Sequence, residues 1–300
     1  MIRTFDVVLP HGITLACRAN DAGAAGRPRV VLLHGFPEAA FVWDEVMAAL
    51  APEVDALAPQ LRGYAGSSAP ADVAAYRTRH LVADLAAVIE HGGAPVDLLV
   101  AHDWGGAVAW ALAAQRPELL KRLLIINSPH PATFLRELKT NPAQQRASTY
   151  MNFLCRPDAA RLLAEDDFRR IWPFFGAEAR RTWLTAEVMN RYREVWRAGL
   201  EGPVNYYRAS PLRPATDTDR TLLGVQLDDA AVTVRVPTHV LWAERDEALL
   251  PALLDGLERW VPALTIERVP EASHWIVHEQ PARVAATIRR LLAEGAAPPA

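Results

Sequence analysis

The residues that could carry out chemistry begin with an acidic side chain between a strand and a helix. Asp103 follows the apolar run 98–101, and Gly105 lies two residues beyond it. A strand that enters a tight turn between small residues, and then a helix, is the nucleophile-elbow pattern. Such a turn lifts its central side chain towards the helix N-terminus, where N–H groups favour negative charge.

An aspartate at this position predicts a different reaction from a serine. A carboxylate attacks an sp³ carbon and forms an alkyl ester, whereas a serine attacks an acyl carbon. An esterase therefore fits poorly, because its serine would have to come from a place without an elbow. The structural alternative is that Asp103 only caps the helix that follows it.

An acid and a histidine further along the chain could complete a catalytic triad. Asp246 and His274 each follow a predicted strand in the second half of the sequence. The chain order nucleophile, acid, histidine favours His274 as the general base and Asp246 as the group that orients its ring. Glu244 or Glu247 as the acid, and His278 as the base, stay open as competing candidates.

A loop after the first continuous apolar run could hold the charge that develops in such a reaction. This loop is the segment 34–37, His-Gly-Phe-Pro. We expect the backbone N–H groups of Phe36 and Trp104 to form an oxyanion hole. We also expect the bond before Pro37 to be cis, because the loop turns tightly. His34 fits a structural role in which its ring bonds the loop backbone.

Short apolar runs alternate with helical segments around these residues. We predict strands at 2–9, 13–18, 30–33, 54–58, 97–101, 122–126, 238–243 and 264–269, and helices at 43–51, 78–91, 105–115, 251–260 and 281–293. This alternation predicts an α/β fold with a mostly parallel sheet between helices, after an initial antiparallel hairpin. Residues 131–236, rich in arginine, acids and aromatics, predict an inserted helical lid on a core of residues 1–130 and 237–300.

Composition and charge exclude several classes of protein. The chain has 300 residues, of which 51% are hydrophobic, and its 2 cysteines are too few for a disulfide framework. A formal net charge of -3 predicts no nucleic-acid partner. No apolar run reaches the roughly 18 residues of a membrane span, so we expect no membrane contact. The N-terminus shows no export signal, and we therefore expect a cytoplasmic protein.

Four motifs resemble those of the α/β-hydrolase superfamily, and more narrowly of the soluble epoxide hydrolases, over nearly the whole chain. They are His-Gly-Phe-Pro-Glu at 34–38, Arg-Gly-Tyr-Ala-Gly-Ser at 62–67, His-Asp-Trp-Gly-Gly at 102–106 and Ser-His-Trp at 273–275. Two lid segments are also similar: Asn-Tyr-Tyr-Arg at 205–208 and Tyr-Met-Asn-Phe at 150–153. The resemblance implies that Tyr207 and Tyr150 help to open the epoxide ring. The alternative for each tyrosine is an ordinary core residue.

The resemblance implies an epoxide hydrolase with an α/β-hydrolase fold. It would convert a small hydrophobic epoxide and water to a vicinal diol through a covalent ester on Asp103. Neither a metal nor an organic cofactor would be required. His34, Pro37 and Trp275 would line the substrate pocket, and a homodimer stays open.

Other members of the superfamily offer competing functions. A haloalkane dehalogenase would use the same Asp103 and His274, but it usually has an asparagine where this chain has Phe36. A haloacetate dehalogenase would need arginines where this chain has Trp104 and Ala107. A non-catalytic relative that binds a small hydrophobic ligand would have no need of an intact nucleophile, acid and base.

Overall fold

Eight strands form one sheet in the computed structural model, which describes residues 1–20 and 26–296. The strands are β1 (Ile2–Val8), β2 (Thr14–Asn20), β3 (Arg29–Leu33), β4 (Asp55–Pro59), β5 (Leu98–His102), β6 (Leu123–Ile126), β7 (Thr238–Ala243) and β8 (Leu264–Val269). Their order is β1-β2-β4-β3-β5-β6-β7-β8. β2 pairs antiparallel with β1 and with β4, and the other neighbours are parallel. The predicted sheet and its initial hairpin are thus confirmed.

Helices form most of the connections between the strands. They are α1 (Asp44–Leu50), α2 (Thr78–His91), α3 (Asp103–Gln115), α4 (Pro131–Thr140), α5 (Pro142–Ala147), α6 (Tyr150–Leu154), α7 (Ala159–Phe168), α8 (Gly176–Ala179), α9 (Ala186–Arg197), α10 (Glu201–Ala209), α11 (Thr221–Gly224), α12 (Asp229–Val232), α13 (Ile276–Glu279) and α14 (Pro281–Ala296). Among these described helices, none is both long and apolar enough to cross a membrane.

Nine of these helices, α4 to α12, lie between β6 and β7 in the described chain. We refer to this inserted segment, residues 131–236, as the lid. Its division from the core as a separate domain stays a prediction. Residues 21–25 and 297–300, which the predicted core includes, lie outside the described residues.

One predicted helix is wrong. Residues 251–260 form two short 3₁₀ helices, Pro251–Leu254 and Leu257–Arg259, in place of one continuous α-helix. Between them, Asp255 is extended with a ψ of 124° and Gly256 has a φ of +71°. A glycine in this left-handed region ends a helix, and hydrophobic spacing alone does not reveal it.

The order of the strands opens a crevice at one edge of the sheet. From β3 the chain passes to β4 on one side and then to β5 on the other. Connections that leave in opposite directions create a crevice at the carboxyl ends of the strands. Leu33 pairs with Ala101 in the register of β3 and β5, so the loops that follow these two strands lie side by side.

Candidate active site

Asp103 stands at the turn between β5 and α3. Its φ of +50° is in the left-handed region, where a residue other than glycine costs about 1–3 kcal/mol. Two glycines make room for this turn. A Cβ on Gly35 would overlap the Asp103 side chain, and a Cβ on Gly105 would lie 2.6 Å from the Cβ of Leu33. The close packing therefore fixes where the carboxylate stands.

Two backbone N–H groups stabilise the Asp103 carboxylate. The N–H of Phe36 donates to Oδ1 at 2.7 Å, and the N–H of Trp104 also bonds this carboxyl group. Burial raises the pKa of Asp103, and the neighbouring His274 together with the two N–H groups only partly offsets that rise. The Phe36–Pro37 bond is cis, as predicted.

His274 lies between the two carboxylates. Its Nε2 is 3.7 Å from Oδ2 of Asp103, and its Nδ1 is 2.6 Å from Oδ2 of Asp246. An ionised carboxylate only accepts hydrogen bonds, so Nδ1 carries a proton and Nε2 is the nitrogen that can take one up. Burial lowers the pKa of His274, but the charges of Asp246 and Asp103 outweigh it and raise the pKa to about 9.

Hydrogen bonds hold Asp246 in its ionised form. Oδ2 accepts from Asn127 Nδ2 at 2.8 Å, and Oδ1 accepts from the N–H groups of Ala248 and Leu249, each at 2.9 Å. Burial raises the pKa of Asp246, but His274 and these bonds outweigh it and bring the pKa below its usual value. The carboxylate can therefore orient the imidazole ring and stabilise its charge.

The competing candidates for the acid and the base have other surroundings. Glu244 accepts a hydrogen bond from Arg268 on the surface. Glu247 lines the cavity. His278 has its Nε2 2.6 Å from the hydroxyl of Tyr192 in the lid. The geometry brings Asp246 and His274 together with the elbow aspartate.

Two lid tyrosines line the same cavity as Asp103. Tyr150 and Tyr207 line it together with Asp103, and their ring centroids are 6.1 Å apart. The Tyr207 ring also packs edge-on against Phe36 and Trp104, at 5.2 and 5.0 Å. Burial above all raises the pKa of both phenols. Both hydroxyls therefore stay protonated and can donate.

The cavity has two lobes that meet at Asp103, Tyr150 and Tyr207. The larger lobe, of about 1000 Å³, extends past His274 and Trp275 between the lid and the strand ends. The smaller lobe, of about 280 Å³, follows α3 and is lined mostly by apolar side chains. Both lobes therefore reach the Asp103 carboxylate.

Two residues predicted to line the substrate pocket lie outside both lobes. His34 is fully buried: its Nε2 accepts from the N–H of Leu61 at 3.1 Å, and its Nδ1 lies 3.0 Å from the carbonyl oxygen of Gly35. Pro37 turns its carbonyl oxygen to the lid, where it accepts from Trp196 Nε1 at 2.7 Å. The pocket prediction was wrong for both, because both support the loop backbone.

A buried polar network behind His274 was missed by the sequence reasoning. Glu38 is fully buried, and its Oε2 lies 2.9 Å from Nδ1 of His102. The other nitrogen of His102, Nε2, lies 2.9 Å from the carbonyl oxygen of His274. Burial raises the pKa of Glu38, but the neighbouring His102 outweighs it and lowers the pKa to about 2. The network fixes the backbone that carries His274.

Asn127 was also missed, although a signal was present. It directly follows β6, whose carboxyl end lies at the same sheet edge as that of β5. Its amide donates to the carbonyl oxygen of Ala243 at 3.1 Å as well as to Asp246. A polar residue after a buried parallel strand was the observation that could have pointed to it.

The chain is similar to a family of known fold. Residues 28–281 match the family model described as alpha/beta hydrolase fold. The chain is 36% identical over 281 residues to the AB hydrolase superfamily protein YfhM of Bacillus subtilis (strain 168), covering 91% of this chain and 92% of that protein. It is 31% identical over 271 residues to Epoxide hydrolase 4 of Mus musculus, covering 87% of this chain and 71% of that protein.

Solved structures give the same likeness. The crystal structure of the Bacillus megaterium epoxide hydrolase in complex with an inhibitor matches with a TM-score of 0.86 at 29% identity, over 96% of this chain and 100% of that chain. A structure from hot-environment metagenomes, described as an epoxide hydrolase of the alpha/beta hydrolases superfamily, matches with a TM-score of 0.84 at 33% identity, over 97% and 99% of the two chains.

Proposed function

Because the chain belongs to the α/β-hydrolase superfamily and, within it, to the epoxide hydrolases, we propose that it converts a hydrophobic epoxide to a vicinal diol through an ester on Asp103. It is a hydrolase. The observation that carries the proposal is one arrangement. Asp103 stands with His274 on one side, its Nε2 3.7 Å from Oδ2, and with two lid phenols across the cavity.

The first step is the formation of the ester. Oδ1 of Asp103 is occupied by the N–H of Phe36 at 2.7 Å, so Oδ2 is the oxygen that attacks a ring carbon. The carbon–oxygen bond of the ring breaks, and its electron pair stays on the ring oxygen. That oxygen takes a proton from Tyr150 or Tyr207, whose raised pKa values keep them protonated until then.

The second step is hydrolysis of the ester. His274 takes a proton from a water molecule at Nε2, and the hydroxide attacks the ester carbonyl carbon. The oxyanion that forms on Oδ1 is stabilised by the N–H groups of Phe36 and Trp104. Its collapse releases the diol and restores the Asp103 carboxylate. The phenolate left by ring opening recovers its proton from the His274 imidazolium before this step, and His274 regains a proton from the water, so one epoxide and one water yield one diol.

The change of charge on Asp103 explains how His274 can act as a base. In the free enzyme, the charges of Asp246 and Asp103 raise the pKa of His274 to about 9 against the effect of burial. An alkyl ester has no charge, so its formation removes the contribution of Asp103. The pKa of His274 then falls, its proton passes to the phenolate that ring opening left, and the neutral ring becomes available for the second step.

The walls of the cavity support a hydrophobic substrate. Asp103 is the one charged residue that lines the smaller lobe, within the part of the chain that the structure describes. Its other walls are mostly apolar side chains, including Phe134, Met151 and Leu212. An apolar arm of the epoxide would lie here, with its ring at the nucleophile.

A substrate panel that scores diol and halide together tests this function. We expect the wild-type enzyme to form diol from styrene oxide and to release no halide from chloroacetate or 1-chlorobutane. Asp103→Ala should lose diol formation while its circular dichroism spectrum stays native. Halide release without turnover of styrene oxide would show a dehalogenase, and ligand binding without either product would show a non-catalytic relative.

A further inference from the structure

A buried serine bonds the backbone of Asp103. The Oγ hydroxyl of Ser128 donates to the carbonyl oxygen of Asp103 at 2.7 Å. Ser128 is the second residue after β6, and it is only 2% exposed. Because water has so little access to it, the hydroxyl depends on a partner within the protein. The bond is therefore a lasting part of the turn that carries Asp103.

Helix α3 holds this serine in place. The indole N–H of Trp110 donates to the carbonyl oxygen of Ser128 at 3.2 Å. Gly106 leaves room for the serine side chain, because a Cβ on Gly106 would overlap the Cβ of Ser128. The close approach that brings the hydroxyl to Asp103 therefore depends on a glycine in the first turn of the helix.

The turn after β6 is strained in the same way as the turn after β5. Asn127 has a φ of +37°, and Asp103 has a φ of +50°. Residues other than glycine keep such conformations only where their surroundings hold them. Asn127 donates to Asp246 at 2.8 Å, and its neighbour Ser128 donates to Asp103. Two consecutive residues thus tie the acid and the nucleophile to one turn.

The carbonyl group that Ser128 bonds belongs to the same peptide unit as the N–H of Trp104. A peptide unit is planar, so a bond at its oxygen also restrains the direction of its N–H. Linked hydrogen bonds polarise one another, and a donor at the oxygen makes the N–H of that amide a stronger donor. The Trp104 N–H bonds the Asp103 carboxyl group, and it is one of the two donors of the proposed oxyanion hole.

Resting on the epoxide hydrolysis proposed above, we propose that Ser128 is a positioning residue of the oxyanion hole. It orients and polarises the N–H of Trp104 through the peptide unit 103–104. The benefit belongs to the second step, because negative charge builds up on Oδ1 when water attacks the neutral ester. In the first step the carboxylate loses charge, so a stronger donor brings no advantage there.

Ser128→Ala should slow ester hydrolysis and leave ester formation at least as fast as in the wild-type enzyme. Loss of an oxyanion donor costs about a hundred- to thousandfold, and the polarisation contributes about 10–30% of such a bond. The rate of hydrolysis should then fall about two- to eightfold. Stopped-flow tryptophan fluorescence during a single turnover of styrene oxide measures both rates.

Steady-state measurements give a second readout of the same variant. Slower hydrolysis leaves more of the enzyme as ester during turnover, so kcat and KM should both fall. Intact-protein mass spectrometry of quenched samples measures the fraction of ester, which should rise. A role limited to the shape of the turn would instead displace the Asp103 carboxylate, and Ser128→Ala would then slow ester formation.

Two further variants serve as controls. Thr238→Val removes a buried hydroxyl that donates to the carbonyl oxygen of Val236 at 2.8 Å. Thr238 begins β7, at the opposite edge of the sheet from the site, so both rates should stay at their wild-type values. Ser128→Thr keeps the hydroxyl, and its rate of ester hydrolysis should stay close to that of the wild-type enzyme.

Three results would overturn this role while leaving the proposed function intact. They are a loss in the rate of ester formation in Ser128→Ala, wild-type hydrolysis in Ser128→Ala, and hydrolysis that is as slow in Ser128→Thr as in Ser128→Ala. Failure of the proposed function looks different. In that case the wild-type enzyme would form neither an ester nor diol from styrene oxide.

Discussion

At the residue scale, the protonation of His274 depends on the charge of Asp103. His274 Nε2 lies 3.7 Å from Oδ2 of Asp103, and both side chains are largely buried. Two opposite charges at this distance, shielded from solvent, each favour the ionised form of the other. The proposed mechanism uses this coupling, because the base must lose its proton only after the nucleophile has become an ester.

Removing the charge of Asp103 should lower the pKa of His274. In Asp103→Asn, the imidazolium loses a neighbouring negative charge that stabilises it, so we expect its pKa to fall clearly below about 9. NMR titration of the His274 ring measures the shift. Glu118→Gln, which removes an exposed carboxylate paired with Arg116, is the control and should leave the titration unchanged. An unaltered pKa in Asp103→Asn would contradict the coupling.

Removing either lid phenol should slow ring opening. Tyr150→Phe and Tyr207→Phe each take away a donor to the ring oxygen, and we expect about a ten- to hundredfold loss in the rate of ester formation. Stopped-flow tryptophan fluorescence measures that rate. Tyr206→Phe, on the same helix as Tyr207, is the matched control. Its hydroxyl donates to the carbonyl oxygen of Arg62 at 2.9 Å and is therefore not a donor to the ring oxygen. A normal rate in the double variant would refute the role of the phenols.

At the scale of elements, the turn between β5 and α3 depends on its glycines. Gly35→Ala would place a methyl group where the Asp103 side chain lies. We expect at least a hundredfold loss of kcat/KM for diol formation with the circular dichroism spectrum retained. Gly224→Ala in α11 is the control, since a Cβ there meets nothing within 4 Å. Wild-type activity in Gly35→Ala would mean that the position of the carboxylate is not critical.

The positions of the strands could be predicted from the sequence, because buried parallel strands are continuous apolar runs. The chain order of Asp103, Asp246 and His274 after these strands could be read from it as well. Strands β7 and β8 have the bounds predicted for them, and α2 does as well. The break at Gly256 could not be predicted, because hydrophobic spacing does not record backbone φ. The proximity of Asn127 to Asp246 also depends on which strands lie side by side, and that order emerges only from the folded sheet.

At the scale of the whole molecule, the lid is tied to the loops that carry the site. Trp196 of α9 donates to the carbonyl oxygen of Pro37 at 2.7 Å, next to the Phe36 N–H that bonds Asp103. Trp275, next to the base, donates to the carbonyl oxygen of Phe174 at 3.1 Å. The lid is therefore bonded both to the loop 34–37 and to the residue that follows His274.

Losing the bond between Trp196 and Pro37 should affect both stability and catalysis. Trp196→Phe leaves a carbonyl oxygen without its donor, and we expect the free energy of unfolding in urea to fall by about 1–3 kcal/mol. The value of kcat should fall as well, because Pro37 directly follows Phe36, whose N–H bonds Asp103. Trp172→Phe is the control, since its indole bonds Asp167 within the lid. Equal losses of kcat in both variants would argue against a specific link to the loop.

The central claim is that Asp103 forms a covalent ester which His274 hydrolyses. The most direct test is a single turnover of styrene oxide by His274→Gln, followed by intact-protein and peptide mass spectrometry. We expect one equivalent of epoxide to be consumed, the protein mass to rise by that of the epoxide, and the adduct to map to Asp103. Asp103→Asn/His274→Gln should stay unmodified. Repeated turnover to diol without any adduct on Asp103 would contradict the mechanism.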